Sequence, residues 1–107
     1  MNRGDLVTIA LPGDLGKPRP ALIIQSDQFL ETHTVTVLPI SSTRIEAPLL
    51  RFDIEPGATN GLRLPSQVMV DKPTTVKRER IGRRIGSIGQ QELVAINRLL
   101  TVFLGIA

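Results

Sequence analysis

The sequence predicts a mainly β domain: a small, strongly bent antiparallel sheet or partly open barrel capped by one C-terminal helix. Three observations predict it. Short β-branched segments recur along the chain, Pro, Gly and Asn turn signals separate them, and helical periodicity begins only near residue 90. Leu6 to Ala10 reads as a first strand closed by Pro12-Gly13-Asp14, and Ala21 to Gln25 as a second. Between them Lys17-Pro18-Arg19-Pro20 is stiff, because each proline fixes its own φ and pushes the preceding residue into an extended conformation. Thr34 to Leu38 predicts a third strand that stops at Pro39, followed by the hydroxyl-rich loop Ser41-Ser42-Thr43-Arg44.

Leu49 to Ile54 alternates after Leu50 as a half-buried strand does, and Asn60-Gly61 marks a turn that tolerates positive φ. Ser66 to Asp71 alternates again, and Ile81 to Ile88 supplies a last short strand interrupted by Gly82 and Gly86. From Gln90 onward, Leu93, Ile96, Leu100, Phe103 and Leu104 draw one apolar stripe on a helix. Gly89 is a permissible N-cap, Glu92 suits the first turn, and Gly105 can close the helix. Val94, Leu99 and Val102 lie partly off the stripe, which core filling explains more often than a subunit contact does.

The chain has 107 residues, enough for one domain (1–107) and too few for two that each bury a stable core. Hydrophobic residues make up 41% of it, so it is expected to fold rather than stay disordered. It has no cysteine, which removes disulfides, thiolate metal sites and cysteine nucleophiles and fits a reducing compartment. No run approaches the roughly 18 apolar residues of a membrane span and no export signal opens the chain, so a soluble, cytoplasmic protein is expected. The net charge is +3, with basic residues concentrated at Lys77-Arg78-Glu79-Arg80 and Arg83-Arg84, a pattern that suits an anionic partner without requiring one. With three Phe and neither Tyr nor Trp, a binder that stacks successive bases on aromatic platforms is disfavoured.

The inventory of reactive groups is small. No cluster of His, Asp or Glu at ligand spacing suggests a metal, and no cofactor motif is present. The single histidine, His33, rules out paired-histidine acid/base chemistry within one chain and reads as a surface residue. Neither Ser41 nor Ser42 sits in a nucleophile elbow. What remains is a stiffly placed arginine, a hydroxyl cluster and a basic segment. RNA cleavage suits so small a kit, because the 2′-hydroxyl of the substrate is the nucleophile and the protein need only orient it, move protons and stabilise charge. A guanidinium fork matches phosphate oxygens, and hydroxyls add hydrogen bonds to the same group.

Five segments in register carry a resemblance. They are Arg3-Gly4-Asp5-Leu6-Val7; Lys17-Pro18-Arg19-Pro20 with Ala21 to Asp27; Val37 to Ser42; Asn60 to Val68; and Asn97-Arg98 through Gly105. Together they resemble the MazF/PemK family of toxin endoribonucleases. The resemblance implies an SH3-like barrel with a C-terminal helix, a homodimer, metal-independent cleavage of single-stranded mRNA at short sequences, and neutralisation by a cognate antitoxin. By position, Arg19 matches the family's catalytic arginine, and Ser41 or Ser42 its transition-state hydroxyl. Lys17, Ser66, Gln67, Lys77, Arg78 and Arg80 are the candidates for contact with RNA. Two departures bear on this. The loop before Arg19 is short, with Asp14 as the available substitute for an acidic residue carried by some relatives, and Ser66 stands where several relatives carry Asp. Two other readings are a CcdB-like gyrase-binding toxin without nuclease activity, which shares the fold, and a non-catalytic RNA-binding barrel.

Overall fold

The computed structural model describes residues 1–11, 13, 17–29 and 31–106. Among these residues, seven strands and one α-helix follow in the order β1 (Asp5–Ile9), β2 (Arg19–Ile23), β3 (Thr34–Ser41), β4 (Arg51–Ile54), β5 (Ser66–Met69), β6 (Thr74–Lys77), β7 (Ile81–Ser87) and α1 (Gln90–Leu104). All pairings are antiparallel, in the order β4-β5-β3-β2-β1-β7, with β6 also pairing to β3. The bent sheet with its C-terminal helix is the architecture expected, although the hydrogen-bonded path from β4 to β7 is not a closed ring.

Two details differ from the sequence-based expectation. Residues 74–77 form β6, where no strand was expected, and β3 continues through Pro39 to Ser41 instead of stopping. The register explains the second difference. The Thr36 carbonyl accepts from Ile24, the residue after β2, so the even-numbered residues of β3 turn their backbone groups to β2 and the odd-numbered ones to the other edge. On that edge β6 pairs with residues 34–37 and β5 takes over at Ile40 and Ser41. Pro39 falls where one partner ends and the next begins, so its missing N–H leaves no ladder bond unmade.

Apolar residues on both faces of β1 to β3 are buried. Leu6, Leu22, Leu38 and Ile40 join Ile54, Val68, Val70 and Ile96 in one cluster under the helix. Val7, Ile9, Ala21, Ile23, Val35, Val37 and Val76 form a second cluster, as strict alternation along these strands requires. Each fully buried side chain of this size contributes about 2 kcal/mol of transfer free energy.

The Glu92 carboxylate accepts the Gly89 N–H at 3.0 Å at the helix start. At the other end Gly105 is left-handed (φ 73°), with Gly105 N–H donating to Val102 and Ile106 N–H to Thr101, a Schellman closure. Ile96 is wholly buried, and Leu99 and Leu100 pack against the same cluster. The predicted stripe fails at its end: Phe103 and Leu104 are exposed, as are Val94 and Val102.

Two segments between strands are pinned by single polar side chains. Asn60 accepts the N–H groups of Gly57 and Leu62 and donates to the Glu55 carbonyl, folding residues 55–62 onto β7. Gly61 has φ 72° there, and a Cβ on it would lie 2.0 Å from the Ile85 carbonyl oxygen. Gln67, buried on β5, accepts the Ile45 N–H and donates to the Ile45 carbonyl and to Asp53, which holds the segment after Ser42 against the sheet.

Gly61→Ala is expected to lower stability by roughly 2–4 kcal/mol in urea unfolding, from the left-handed backbone and the clash with Ile85 together; an unchanged midpoint would contradict the packing described. Gln67→Ala removes the acceptor of the Ile45 amide. Hydrogen exchange at that amide is expected to accelerate roughly tenfold, in keeping with the loss of one buried hydrogen bond. Native protection at Ile45 in the variant would show that the segment is held by something else.

Candidate active site

The β2–β3 ladder sets the site. Its register pairs Ile23 with Val37, Leu22 with Leu38 and Ala21 with Pro39. Continued by two residues, it brings Arg19, the first residue of β2, across from Ser41, the last residue of β3. Ser41 is itself in register with Gln67 on β5, and Arg19 with Ile9 on β1, so both residues sit on strands paired on their other edges. Stiffness from Pro18 and Pro20 reaches Arg19 directly, since Pro20 lies inside β2 opposite Thr8.

Arg19, Ser41 and Ser42 line one recess of about 340 Å³, together with Thr8, Pro18, Pro20, Ser66, Arg63 and Arg83. Ile40, Leu62, Leu64 and Ile85 give it an apolar side, whereas Phe29, Phe52 and Phe103 lie elsewhere. Ser41 Oγ accepts the Thr43 N–H at 3.1 Å and donates to the Thr43 carbonyl at 3.3 Å, which fixes the turn out of β3 and orients the hydroxyl. Ser42 is more exposed than Ser41. Ser66 is buried and its hydroxyl donates to the Leu64 carbonyl at 2.8 Å, so its proton braces the loop that carries Arg63.

The other residues expected to meet RNA are scattered. Lys17 is exposed beside Pro18 at the rim. Gln67 faces a separate recess of about 390 Å³ with Arg44, Glu46, Arg51 and Asp53. Its amide is committed to Ile45 and Asp53, so it acts on the site by positioning the Ser42–Ile45 segment. Lys77 and Arg78 lie at the opposite end of β3 from Ser41, Lys77 in register with Thr34 and Arg78 donating to the Thr32 carbonyl at 2.9 Å. Arg80 is exposed in a short 3-10 turn past the end of β1, its carbonyl accepting the Ala10 N–H. None of Gln67, Lys77, Arg78 and Arg80 lines the recess with Arg19. Asp14 lies outside the described residues.

The recess holds two arginines that were not among the expected site residues, Arg63 and Arg83, although Arg83 belongs to the basic concentration of the sequence. Arg63 follows the Asn60-Gly61 turn, whose path across β7 no periodicity reveals. For Arg83 a signal existed: Gly82 and Gly86 inside a strand pattern mark bulges or close backbone approach. Among the described residues, no three His, Asp or Glu side chains gather as a metal site would need.

Chemically, the recess joins several fixed cations to a hydroxyl on an apolar floor. That suits a phosphodiester whose charge is neutralised while adjoining sugar or base rests on aliphatic side chains.

Comparison with known proteins agrees. Residues 2–104 match the family model described as PemK-like, MazF-like toxin of type II toxin-antitoxin system. A protein of Mycolicibacterium smegmatis, named probable endoribonuclease MazF, is 48% identical over 108 residues, covering 100% of this chain and 99% of that one. The Mycobacterium tuberculosis toxin MazF-mt6 has a similar structure, with TM-score 0.80 and 25% identity over 94% of this chain and 96% of the other. A mycobacterial endoribonuclease solved in complex with its cognate antitoxin shares the fold with TM-score 0.83, at 21% identity over 100% and 97% of the two chains. The match over nearly the whole length and the 48% identity establish that this chain belongs to the PemK-like, MazF-like toxin family of type II toxin-antitoxin systems.

Proposed function

We propose that this toxin is an endoribonuclease that cuts single-stranded RNA, mRNA in the cell, by attack of the substrate's own 2′-hydroxyl. The observation that carries this reading is the meeting of Arg19 and Ser41 across the end of the β2–β3 ladder, inside one cationic recess. Arg19 binds the non-bridging oxygens of the scissile phosphate and stabilises the charge that builds on the pentavalent phosphorane. Ser41, set opposite Arg19, turns its proton from the long bond to the Thr43 carbonyl to the same phosphate when RNA binds, while Ser42 borders the approach. The 2′-hydroxyl gives up its proton and its oxygen forms a bond to phosphorus as the bond to the 5′-oxygen breaks and that oxygen takes up a proton, leaving a 2′,3′-cyclic phosphate and a 5′-hydroxyl. No metal takes part in this scheme. The gyrase-binding and non-catalytic readings have no use for an arginine and a serine so placed.

A cognate antitoxin neutralises the enzyme, as the mycobacterial neighbour solved with its antitoxin suggests. The chain works as a homodimer in the cytoplasm. The dimer is supported by the apolar end of α1, where Val102, Phe103, Leu104 and Ile106 are exposed together. The compartment is supported by the mRNA substrate and the absence of cysteine.

Two measurements test this. With single-stranded RNA in EDTA, the native protein is expected to give discrete cuts with cyclic-phosphate and 5′-hydroxyl ends, and Arg19→Ala to cut about two to three orders of magnitude more slowly. Fragments bearing a 5′-phosphate, or loss of cutting in EDTA, would overturn the mechanism. In light scattering, the mass of a dimer is expected at micromolar concentration; a monomer that cuts RNA at the full rate would overturn the dimer.

A further inference from the structure

β7 is longer than the strand it pairs with. Asp5 and Leu6 of β1 face Ser87 and Gly86, but Val7 faces Arg84 and Ile9 faces Ile81. Ile85 is therefore an extra residue at the first shift, and at the second Gly82 and Arg83 together face Thr8 alone. The second bulge is built by its residues. Thr8 Oγ1 accepts the Arg83 N–H at 3.1 Å, and a Cβ on Gly82 would lie 2.4 Å from that same oxygen. Strand alternation sends the adjacent arginines to opposite faces, and the bulge sets where along β7 Arg83 falls. Arg84 turns to Asp5, with Nε 3.2 Å from the carboxylate, whereas Arg83 joins Arg19 on the wall of the recess.

Arg83 also differs from the arginines that serve the fold. Arg3, Arg51, Arg78 and Arg84 bond through their guanidiniums to Ile24 and Asn97, Asp71, Thr32 and Asp5. Among the described residues, the guanidiniums of Arg44, Arg63, Arg80, Arg83 and Arg98 make no such bond, and of these five Arg63 and Arg83 line the recess. A recess walled by Arg19, Arg63 and Arg83 gathers like charges, an arrangement that favours a polyanion. One phosphodiester carries a single negative charge and is already matched by Arg19 with Ser41. The remaining cations suit a second phosphate of the same strand.

Resting on the ribonuclease reading above, we propose that Arg83 is a substrate-positioning residue that binds a phosphodiester adjoining the scissile one, so that the recess grips two consecutive phosphates. Its contact is with phosphate and carries no base preference.

The test uses one RNA oligonucleotide that the native protein cuts at a single site, prepared with a neutral methylphosphonate at each phosphate flanking the cut in turn. Arg83→Ala is expected to lower kcat/KM about 10- to 100-fold, chiefly through KM, with unchanged thermal unfolding. The slope of log kcat/KM against log salt is expected to flatten by about 0.7, the share of one phosphate on a single strand. Arg83→Lys keeps the native slope and recovers part of the rate. Lys72→Ala, in the turn between β5 and β6 and away from the recess, removes the same charge with little effect. At one flanking position the methylphosphonate costs the native enzyme a similar factor and adds nothing to Arg83→Ala. Native rates in Arg83→Ala, or losses that multiply at both flanking positions, would overturn this proposal alone. Absence of any cut by the native protein would overturn the ribonuclease reading and this proposal with it.

Discussion

The arrangement depends on one strand, β3, being shared. One of its edges pairs with β2 over Val37 to Pro39, and the other passes from β6 to β5 at Pro39. That hand-over lets the strand run on to Ser41 after the β2 ladder has ended at Ala21 and Pro39, which places the serine over the first residue of β2. A strand that stopped at Pro39 would leave Ser41 in a loop, with its distance from Arg19 undetermined. The hydroxyl and the guanidinium are instead held by backbone pairing on strands that are also hydrogen-bonded elsewhere, which is the kind of support that keeps a reacting geometry within tolerance.

The rest of the site is added by side chains that hold loops. Gln67 anchors the segment after Ser42 through Ile45, Asn60 folds the next loop against β7, and Ser66 braces the stretch that carries Arg63. None of these side chains needs to touch a substrate to matter. Their polar atoms replace ladder bonds that irregular backbone lacks, and among the described residues no buried side-chain nitrogen or oxygen is left without a partner. Gly61 and Gly82 complete the arrangement, since at each a Cβ would collide with the neighbouring strand.

Much of this was legible in the sequence, for physical reasons that can be named. The strands around Leu6, Leu22 and Val37 announce themselves because both of their faces are buried, and α1 because Leu93, Ile96 and Leu100 recur at helical spacing. Arg19 stood out through the prolines on either side of it. What was hidden depends on register. Pro39 looks like a strand end until the partner on each edge is known, and residues 74–77 pair only because β3 offers them an edge. Of the basic residues concentrated at Lys77-Arg78-Glu79-Arg80 and Arg83-Arg84, only Arg83 lines the recess, where it meets Arg63. Linear charge density records how many cations a segment holds and says nothing of where a bulge or a turn sends each one. The end of α1 shows the same limit, since periodicity places Phe103 and Leu104 on the apolar stripe although the sheet beneath has ended.

The central claim is that the scissile phosphate rests between Arg19 and Ser41. A crystal structure of the protein with a single-stranded RNA made uncleavable by one 2′-deoxynucleotide at the cut site would test it most directly. The account predicts that the phosphate following the deoxynucleotide is held by the Arg19 guanidinium and the Ser41 hydroxyl. RNA bound instead along Lys77, Arg78 and Arg80, or in the recess faced by Gln67, with Arg19 and Ser41 untouched, would contradict it.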